Sequence, residues 1–223
     1  MGEMVEVKRP DGKICPAYLV EPKAGAAAPG FVMIQEWWGL NDQIKGMAER
    51  LAGEGYRVLV PDLYRGEKAT TPDEAGALMG ALDFADAGKQ DVRGCVQHLK
   101  KTSAKVAVGG FCLGGAVTVI AAVHVPEADA AVCFYGIPPA TVADPSQVKA
   151  PFQGHFANVD DWCTPAAVDG LEAALARSGA SFEIHRYQAQ HAFMNEARPD
   201  VHDAGSAALA WQRAKDFLDR TLR

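Results

Sequence analysis

The chain has 223 residues, of which 48% are hydrophobic and 22% are charged, and its net charge is -6. Lysine and arginine are dispersed without a basic run, which argues against nucleic acid or an anionic membrane surface as a partner and favours a small molecule. The five cysteines are odd in number and lack Cys-x-x-Cys spacing. This pattern argues against a disulfide framework and a structural zinc site, and we expect no cofactor and no metal.

The start of the chain has neither the basic segment nor the apolar stretch of a signal peptide, and no apolar run approaches the length of a membrane span. We therefore expect a cytoplasmic protein. Because no repeat, low-complexity segment or linker divides the sequence, we expect one domain over residues 1–223, present as a monomer or a small homo-oligomer.

The first half of the chain predicts strands that alternate with helices. Asp11-Gly12 is a tight-turn signal, which predicts a β-hairpin of residues 5–7 and 15–20 at a sheet edge. Asn41 or Asp42 can cap a helix that the glycines of residues 53–55 would end. The other predicted elements are strands at residues 30–36 and 57–64, a helix capped by Thr71 that continues to Leu82, and a helix that carries Val92, Val96 and Leu99.

The second half continues the alternation to a closing helix at residues 204–222. The whole pattern predicts an α/β fold, with a mostly parallel sheet covered by helices on both faces, and ligands bound at the carboxyl ends of the strands. The predicted elements are a strand ending at Phe111, a helix from Leu113, strands at 130–136, 151–157 and 182–187, a helix from Thr164 to Gly179, and a closing helix with Ala208, Trp211, Ala214, Phe217 and Leu218 on its core face.

The segment 106–120 runs from a β-branched strand through Gly-x-Cys-x-Gly-Gly into an apolar helix. This strand, turn and helix are typical of a nucleophile elbow with Cys112 as the nucleophile, where only small residues fit around a strained backbone. The free N–H groups at the start of the helix would lower the pKa of the thiol. Alternatively, Cys112 is a small buried hydrophobic residue in a glycine-rich turn.

A cysteine nucleophile needs a base, and the base needs a third group that fixes its tautomer. His191 follows the last predicted strand, and Asp160 and Asp161 follow an earlier one, which is the order nucleophile, acid, histidine. We favour Asp160 because it is nearer to the strand end, with Asp161 as the alternative acid. The alternative for His191 is a solvated loop histidine.

Backbone N–H groups after the nucleophile and after an earlier strand bind the oxyanion in such sites, which nominates Leu113 and Trp37. Glu36 directly precedes Trp37 and would point into the same space; the alternative is a solvated or helix-capping carboxylate. We expect Trp37, Trp38 and Phe193 to wall the pocket, unless these aromatic residues belong to the core.

Four segments, at residues 34–41, 110–115, 155–161 and 191–193, resemble the dienelactone hydrolase (carboxymethylenebutenolidase) family over nearly the whole chain. The resemblance implies an α/β-hydrolase fold with Cys112, His191 and Asp160 as a triad. It also implies that Glu36 holds the resting thiol uncharged and takes its proton when substrate displaces it.

Family enzymes that cleave dienelactone resemble one another in holding the substrate carboxylate with arginines, one of them shortly after the catalytic histidine. In this sequence that place reads Phe193-Met194-Asn195, and the helix that would supply another arginine begins Pro72-Asp73-Glu74. Arg198 is the candidate to substitute from the loop.

The sequence thus favours a metal-independent hydrolase of small lactones or esters that forms a thioester on Cys112. Three alternatives stay open: a general small carboxylesterase without dienelactone activity, a non-hydrolytic ligand-binding protein of the same fold, and a thiol redox or transfer enzyme. The last would need a resolving cysteine, and Cys95 and Cys133 fall on other predicted elements.

Overall fold

The computed structural model describes residues 2–223, in which eight strands form one sheet of order β1-β2-β4-β3-β5-β6-β7-β8. The strands are β1 (Glu3–Lys8), β2 (Ile14–Val20), β3 (Gly30–Ile34), β4 (Arg57–Pro61), β5 (Val106–Phe111), β6 (Ala130–Phe134), β7 (Phe152–Val159) and β8 (Phe182–Gln190). The helices are α1 (Asp42–Gly53), α2 (Pro72–Ala81), α3 (Phe84–Asp86), α4 (Arg93–Leu99), α5 (Leu113–His124), α6 (Pro165–Ser178) and α7 (Ala204–Leu222).

The sheet is parallel except at its first edge, where β1 and β2 form an antiparallel hairpin and β2 pairs antiparallel with β4. Each strand alternates its side chains between two cores, so that Val58 and Val60 face one side of the sheet and Leu59 the other. Helices α1 and α7 cover the first side, and α4, α5 and α6 cover the second. The predicted α/β fold with a mostly parallel sheet and an N-terminal hairpin is confirmed.

Helix ends follow the signals in the sequence. Asn41 is the cap of α1, because its side chain accepts a hydrogen bond from the Ile44 N–H at 3.1 Å. Thr71 and Glu74 form a reciprocal capping box at α2. Gly179 ends α6 with φ +76°, a conformation that glycine adopts without strain.

The region before β5 differs from the prediction of a single helix around Val92. A π-helical segment, Ala87–Val92, joins α3 to α4. It contains Asp91, whose buried carboxylate accepts hydrogen bonds from Arg9 at 3.1 Å and Arg65 at 2.7 Å. The spacing of apolar residues in the sequence does not reveal this segment. The ion pairs of Asp91 join it to Arg9 and Arg65, which are far away in the sequence.

Two strands and the last helix also differ in detail. Strands β7 and β8 continue to Val159 and Gln190, with a register shift near the end of β7, so that Asp160 and His191 follow the strands directly. Ala208 is exposed rather than on the core face of α7, which Ala207, Ala210 and the larger apolar residues form instead. Within residues 2–223, none of the helices has the length and hydropathy needed to cross a bilayer.

Candidate active site

Cys112 occupies the sharp turn between β5 and α5, as the sequence predicts. Its backbone has φ +55° and ψ -115°, a strained conformation for a residue with a side chain. The turn is held by the Cys112 N–H, which donates to the Phe134 carbonyl at 3.0 Å, and by the Ala116 N–H, which donates to the Cys112 carbonyl at 3.1 Å. Sheet and helix together therefore fix the position of the sulfur.

The glycines around Cys112 are required by close backbone contacts. A Cβ atom at Gly110 would lie 2.6 Å from the Gly114 carbonyl oxygen, and one at Gly115 would meet the Phe134 carbonyl and lie 2.9 Å from the Gly136 nitrogen. These are backbone atoms of α5 and of the end of β6, which cannot move away as the end of a flexible side chain can. The sequence pattern of the turn thus has a direct steric cause.

We expect Gly115→Ala to lower the free energy of unfolding by about 3 kcal/mol, because the added methyl group collides with the end of β6. Urea denaturation measures the change. Gly170→Ala is the matched control: this exposed glycine of α6 has open space around its Cβ position, and alanine there should stabilise the helix by roughly 0.5–1 kcal/mol. Equal unfolding midpoints for the two variants would contradict the prediction.

Cys112, His191, Asp160 and Glu36 line one cavity of about 300 Å³. Its volume is at the lower end of the range typical of small-molecule sites, roughly 300–1,000 Å³. The other lining residues are Trp37, Trp38, Val159, Asp161, Trp162, Gln190, Ala192, Arg198 and Val201.

The His191 ring is oriented by Asp160. Nδ1 of His191 lies 2.7 Å from Oδ2 of Asp160, whose other oxygen accepts the N–H groups of Trp162 at 2.7 Å and Cys163 at 2.9 Å. Burial raises the pKa of Asp160, but the hydrogen bonds from His191 and the two N–H groups outweigh it and hold that pKa below its usual range. Asp161 is exposed and makes none of these contacts.

The second ring nitrogen of His191, Nε2, is buried and has no hydrogen-bond partner among residues 2–223. Since Nδ1 is engaged by Asp160, only Nε2 is free for a proton transfer in the cavity that Cys112 also lines. Of the two carboxylates that the sequence left open, the geometry therefore selects Asp160 as the partner of His191.

The surroundings of the Cys112 thiol favour its uncharged form. Burial raises its pKa, the Glu36 and Asp160 carboxylates raise it further, and the N–H groups of Leu113 and Trp37 lower it by less. The helix N-terminus lowers the pKa of the thiol, as the sequence predicts, but burial and the carboxylates raise it by more. The same contacts place the two nominated oxyanion donors, Leu113 and Trp37, beside the sulfur.

Glu36 is buried and held from both sides. Its Oε1 accepts the Tyr135 hydroxyl at 3.2 Å and its Oε2 accepts the Asn195 amide at 2.6 Å. Burial raises the pKa of Glu36, and the hydrogen bonds and the nearby His191 compensate only in part. Two adjacent anions would be costly in this buried site, which favours an uncharged thiol beside the Glu36 carboxylate.

Sequence reasoning missed Tyr135 and Asn195 as partners of Glu36. Tyr135 follows β6 with φ +37°, and its ring packs edge-on against His191 at 5.1 Å between centroids. Two features of the sequence indicate that these residues lie near the site. Tyr135 is at the carboxyl end of a strand beside the elbow, and Asn195 is in the loop after His191.

Two of the three aromatic residues predicted to wall the pocket do so, and the third belongs to the core. Trp37 and Trp38 line the cavity, whereas Phe193 does not: it is fully buried and packs against Tyr135 and Tyr187 at 5.4 Å and 5.0 Å. Phe193 therefore belongs to the core. Trp162, which was not predicted as a wall, is 58% exposed at the cavity mouth, with its ring 5.9 Å from that of His191.

Arg198 lines the cavity and is bound to a neighbour. Its Nε and Nη2 donate to the Asp200 carboxylate at 3.0 Å and 2.5 Å, and its guanidinium lies 5.8 Å from the centre of the Trp38 ring. Within residues 2–223, no set of three or more His, Cys, Asp or Glu side chains is arranged to hold a metal ion.

Known proteins and a family model match the chain over nearly its whole length. The family model "Dienelactone hydrolase family" matches residues 15–222. The chain is 34% identical to "Protein usf" of Aquifex pyrophilus and 32% identical to a "Putative carboxymethylenebutenolidase" of Aquifex aeolicus, each alignment covering 100% of both chains.

Among solved structures, the crystal structure of a "Putative Dienelactone Hydrolase" from Klebsiella pneumoniae superposes with a TM-score of 0.85 at 27% identity, covering 96% of both chains. The fold, the family model and the relatives that align over their whole length all indicate the same family. The chain belongs to the dienelactone hydrolase family and is a hydrolase of the esterase kind with an α/β-hydrolase fold.

Proposed function

We propose that the protein hydrolyses small carboxylic esters and lactones, with Cys112 as nucleophile, His191 as base and Asp160 as the acid that orients it. One observation carries the proposal. His191 is bonded to Asp160 through Nδ1, while its buried Nε2, which has no partner among residues 2–223, shares a cavity with Cys112. This arrangement fits a base that accepts and returns one proton.

The nucleophile is formed only when substrate enters. Glu36 lies beside an uncharged thiol, and burial raises the pKa of both groups. A substrate that displaces the Glu36 carboxylate toward the thiol lets Glu36 take the proton and leaves Cys112 as thiolate. Tyr135 and Asn195 hold the two oxygens of Glu36 and position it for this transfer.

In acylation the sulfur attacks the carbonyl carbon, and the N–H groups of Leu113 and Trp37 bind the negative oxygen. The bond to the leaving oxygen breaks, and His191 relays the proton from Glu36 to that oxygen. The product is a thioester on Cys112 and a free alcohol, which for a lactone stays attached to the acyl group.

In deacylation Nε2 of His191 takes a proton from water, and the resulting hydroxide attacks the thioester. The carbon–sulfur bond breaks, the proton returns to the sulfur, and the acid is released. The sum of both steps is ester plus water giving acid plus alcohol.

Trapping the acyl-enzyme tests the proposal. We expect 4-nitrophenyl acetate to be turned over, and acid quenching of the His191→Ala variant to show one acetyl group on Cys112, because deacylation lacks its base. Peptide mass spectrometry locates the group, and the other four cysteines, all buried and free, serve as internal controls. Acetylation of Cys112 in the wild type without turnover would favour the non-hydrolytic alternative, and turnover with acetyl elsewhere would contradict the proposal.

A further inference from the structure

The charges around the cavity are mostly negative. Three carboxylates line it, those of Glu36, Asp160 and Asp161, and Arg198 is its one arginine or lysine within residues 2–223. Asp160 is hydrogen-bonded to His191, and Glu36 is buried between Tyr135 and Asn195. Asp161 remains as an exposed carboxylate at the mouth, and it has no ion-pair partner in the part of the chain that the structure describes.

Arg198 does not offset this charge for a ligand. Two of its three guanidinium nitrogens, Nε and Nη2, donate to Asp200, so its charge is already paired within the protein, and its flat face lies over Trp38. A carboxylate in the cavity would have to compete with Asp200 for the same guanidinium edge. The pair of Arg198 and Asp200 is neutral overall, so Asp161 determines the sign of the charge at the mouth.

The rest of the mouth is apolar. Val159 and Trp162 are 61% and 58% exposed although they are large hydrophobic residues, and both line the cavity. Exposed apolar side chains that rim a cavity mark a surface for the apolar part of a ligand. The Trp162 ring stands next to His191, where the leaving group of an ester would pass.

We infer that this site takes uncharged esters and lactones and discriminates against substrates that carry a carboxylate. The inference rests on the proposed function and adds the substrate class. An anionic substrate would lose hydration in the cavity, meet Asp161 at the mouth and find the charge of Arg198 already paired with Asp200. An uncharged substrate loses less hydration and is not repelled by Asp161, and its apolar part contacts Val159 and Trp162.

Two aryl acetates of nearly equal shape test the inference: 4-acetoxybenzamide, which is uncharged, and 4-acetoxybenzoate, which is an anion. Each kcat/KM is divided by the rate constant for hydrolysis of the same ester by hydroxide, which removes the difference between the leaving groups. We expect the normalised kcat/KM to be about tenfold or more higher for the amide. This is the size expected for repulsion between the benzoate carboxylate and one partly screened carboxylate of the protein. Added sodium chloride should raise the value for the benzoate and leave that for the amide within about twofold.

Asp200→Asn provides the second arm, since it frees Arg198 without changing a residue that lines the cavity. We expect it to raise kcat/KM for the benzoate about threefold or more and to leave the amide within about twofold. Asp216→Asn, on the exposed side of α7 and outside the cavity, removes the same charge and should leave the ratio of the two esters unchanged.

The outcomes separate the two proposals. Equal normalised values in the wild type, with both esters cleaved through Cys112, would overturn the charge discrimination and leave the hydrolase proposal standing. A ratio that Asp200→Asn does not move would also overturn it. If neither ester is cleaved faster than by Cys112→Ala, the proposed function fails, and the inference fails with it.

Discussion

Replacing Cys112 by alanine is expected to lower kcat/KM for 4-nitrophenyl acetate by about 10⁴-fold or more. The variant keeps the cavity, the oxyanion donors and the His191–Asp160 pair, but it has no atom that can form the thioester. Only binding and the oriented N–H groups of Leu113 and Trp37 would remain to assist water. Initial rates measured by nitrophenolate absorbance, corrected for spontaneous hydrolysis, give the ratio.

The matched control for this experiment is Cys163→Ala. Cys163 is also a buried, free cysteine close to Asp160, and it does not line the cavity. Because its backbone N–H rather than its sulfur contacts Asp160, the variant should retain activity within a few-fold. A Cys112→Ala protein that unfolds at the wild-type temperature and still hydrolyses the ester at a similar rate would refute a nucleophilic role for the thiol.

The elbow could be predicted from the sequence because its cause is local. The strand turns sharply into the helix at Cys112, and backbone atoms come into contact there. Glycine is therefore needed at positions 110, 114 and 115, where a Cβ atom would collide with backbone. The positions of Asp160 and His191 follow from strand order, since the carboxyl ends of parallel strands meet at one edge. The choice between Asp160 and Asp161 needed coordinates, because it depends on how β7 ends and which carboxylate receives two backbone N–H groups.

Contacts between distant residues could not be predicted in this way. Tyr135 and Asn195 bind Glu36 across 99 and 159 positions of the chain. Their places after β6 and after His191 put them near the site, but they do not reveal that both side chains contact Glu36. Phe193 failed as a pocket residue for a related reason. Its position next to the loop of His191 did not reveal that the ring turns inward against Tyr135.

The pKa of the Cys112 thiol shows how a local effect and the tertiary structure compete. The N–H groups at the start of α5 do lower the pKa of Cys112, as a helix N-terminus should. Burial and the Glu36 carboxylate raise it by more, and both come from the tertiary structure. In the proposed mechanism the helix N-terminus would therefore act in the transition state, where negative charge moves from the sulfur to the carbonyl oxygen, rather than on the resting thiol.

Asp160→Asn is expected to lower kcat by about 10³- to 10⁴-fold while the protein stays folded. In the wild type one oxygen of Asp160 accepts the N–H groups of Trp162 and Cys163, and the other faces Nδ1 of His191. An asparagine must keep its oxygen toward the two N–H groups, so its NH₂ faces Nδ1. His191 then adopts the tautomer with the proton on Nε2 and cannot accept one there.

Circular dichroism melting checks that the fold is retained, and the pH dependence of kcat separates a tautomer effect from a structural one. Asp161→Asn removes the same charge from the neighbouring residue without touching His191, so its effect on kcat should be smaller by orders of magnitude. If Asp161→Asn instead gave the larger loss, the acid of the site would be the exposed carboxylate. The hydrogen bond between His191 and Asp160 would then be structural, and the orientation argument for catalysis would fail.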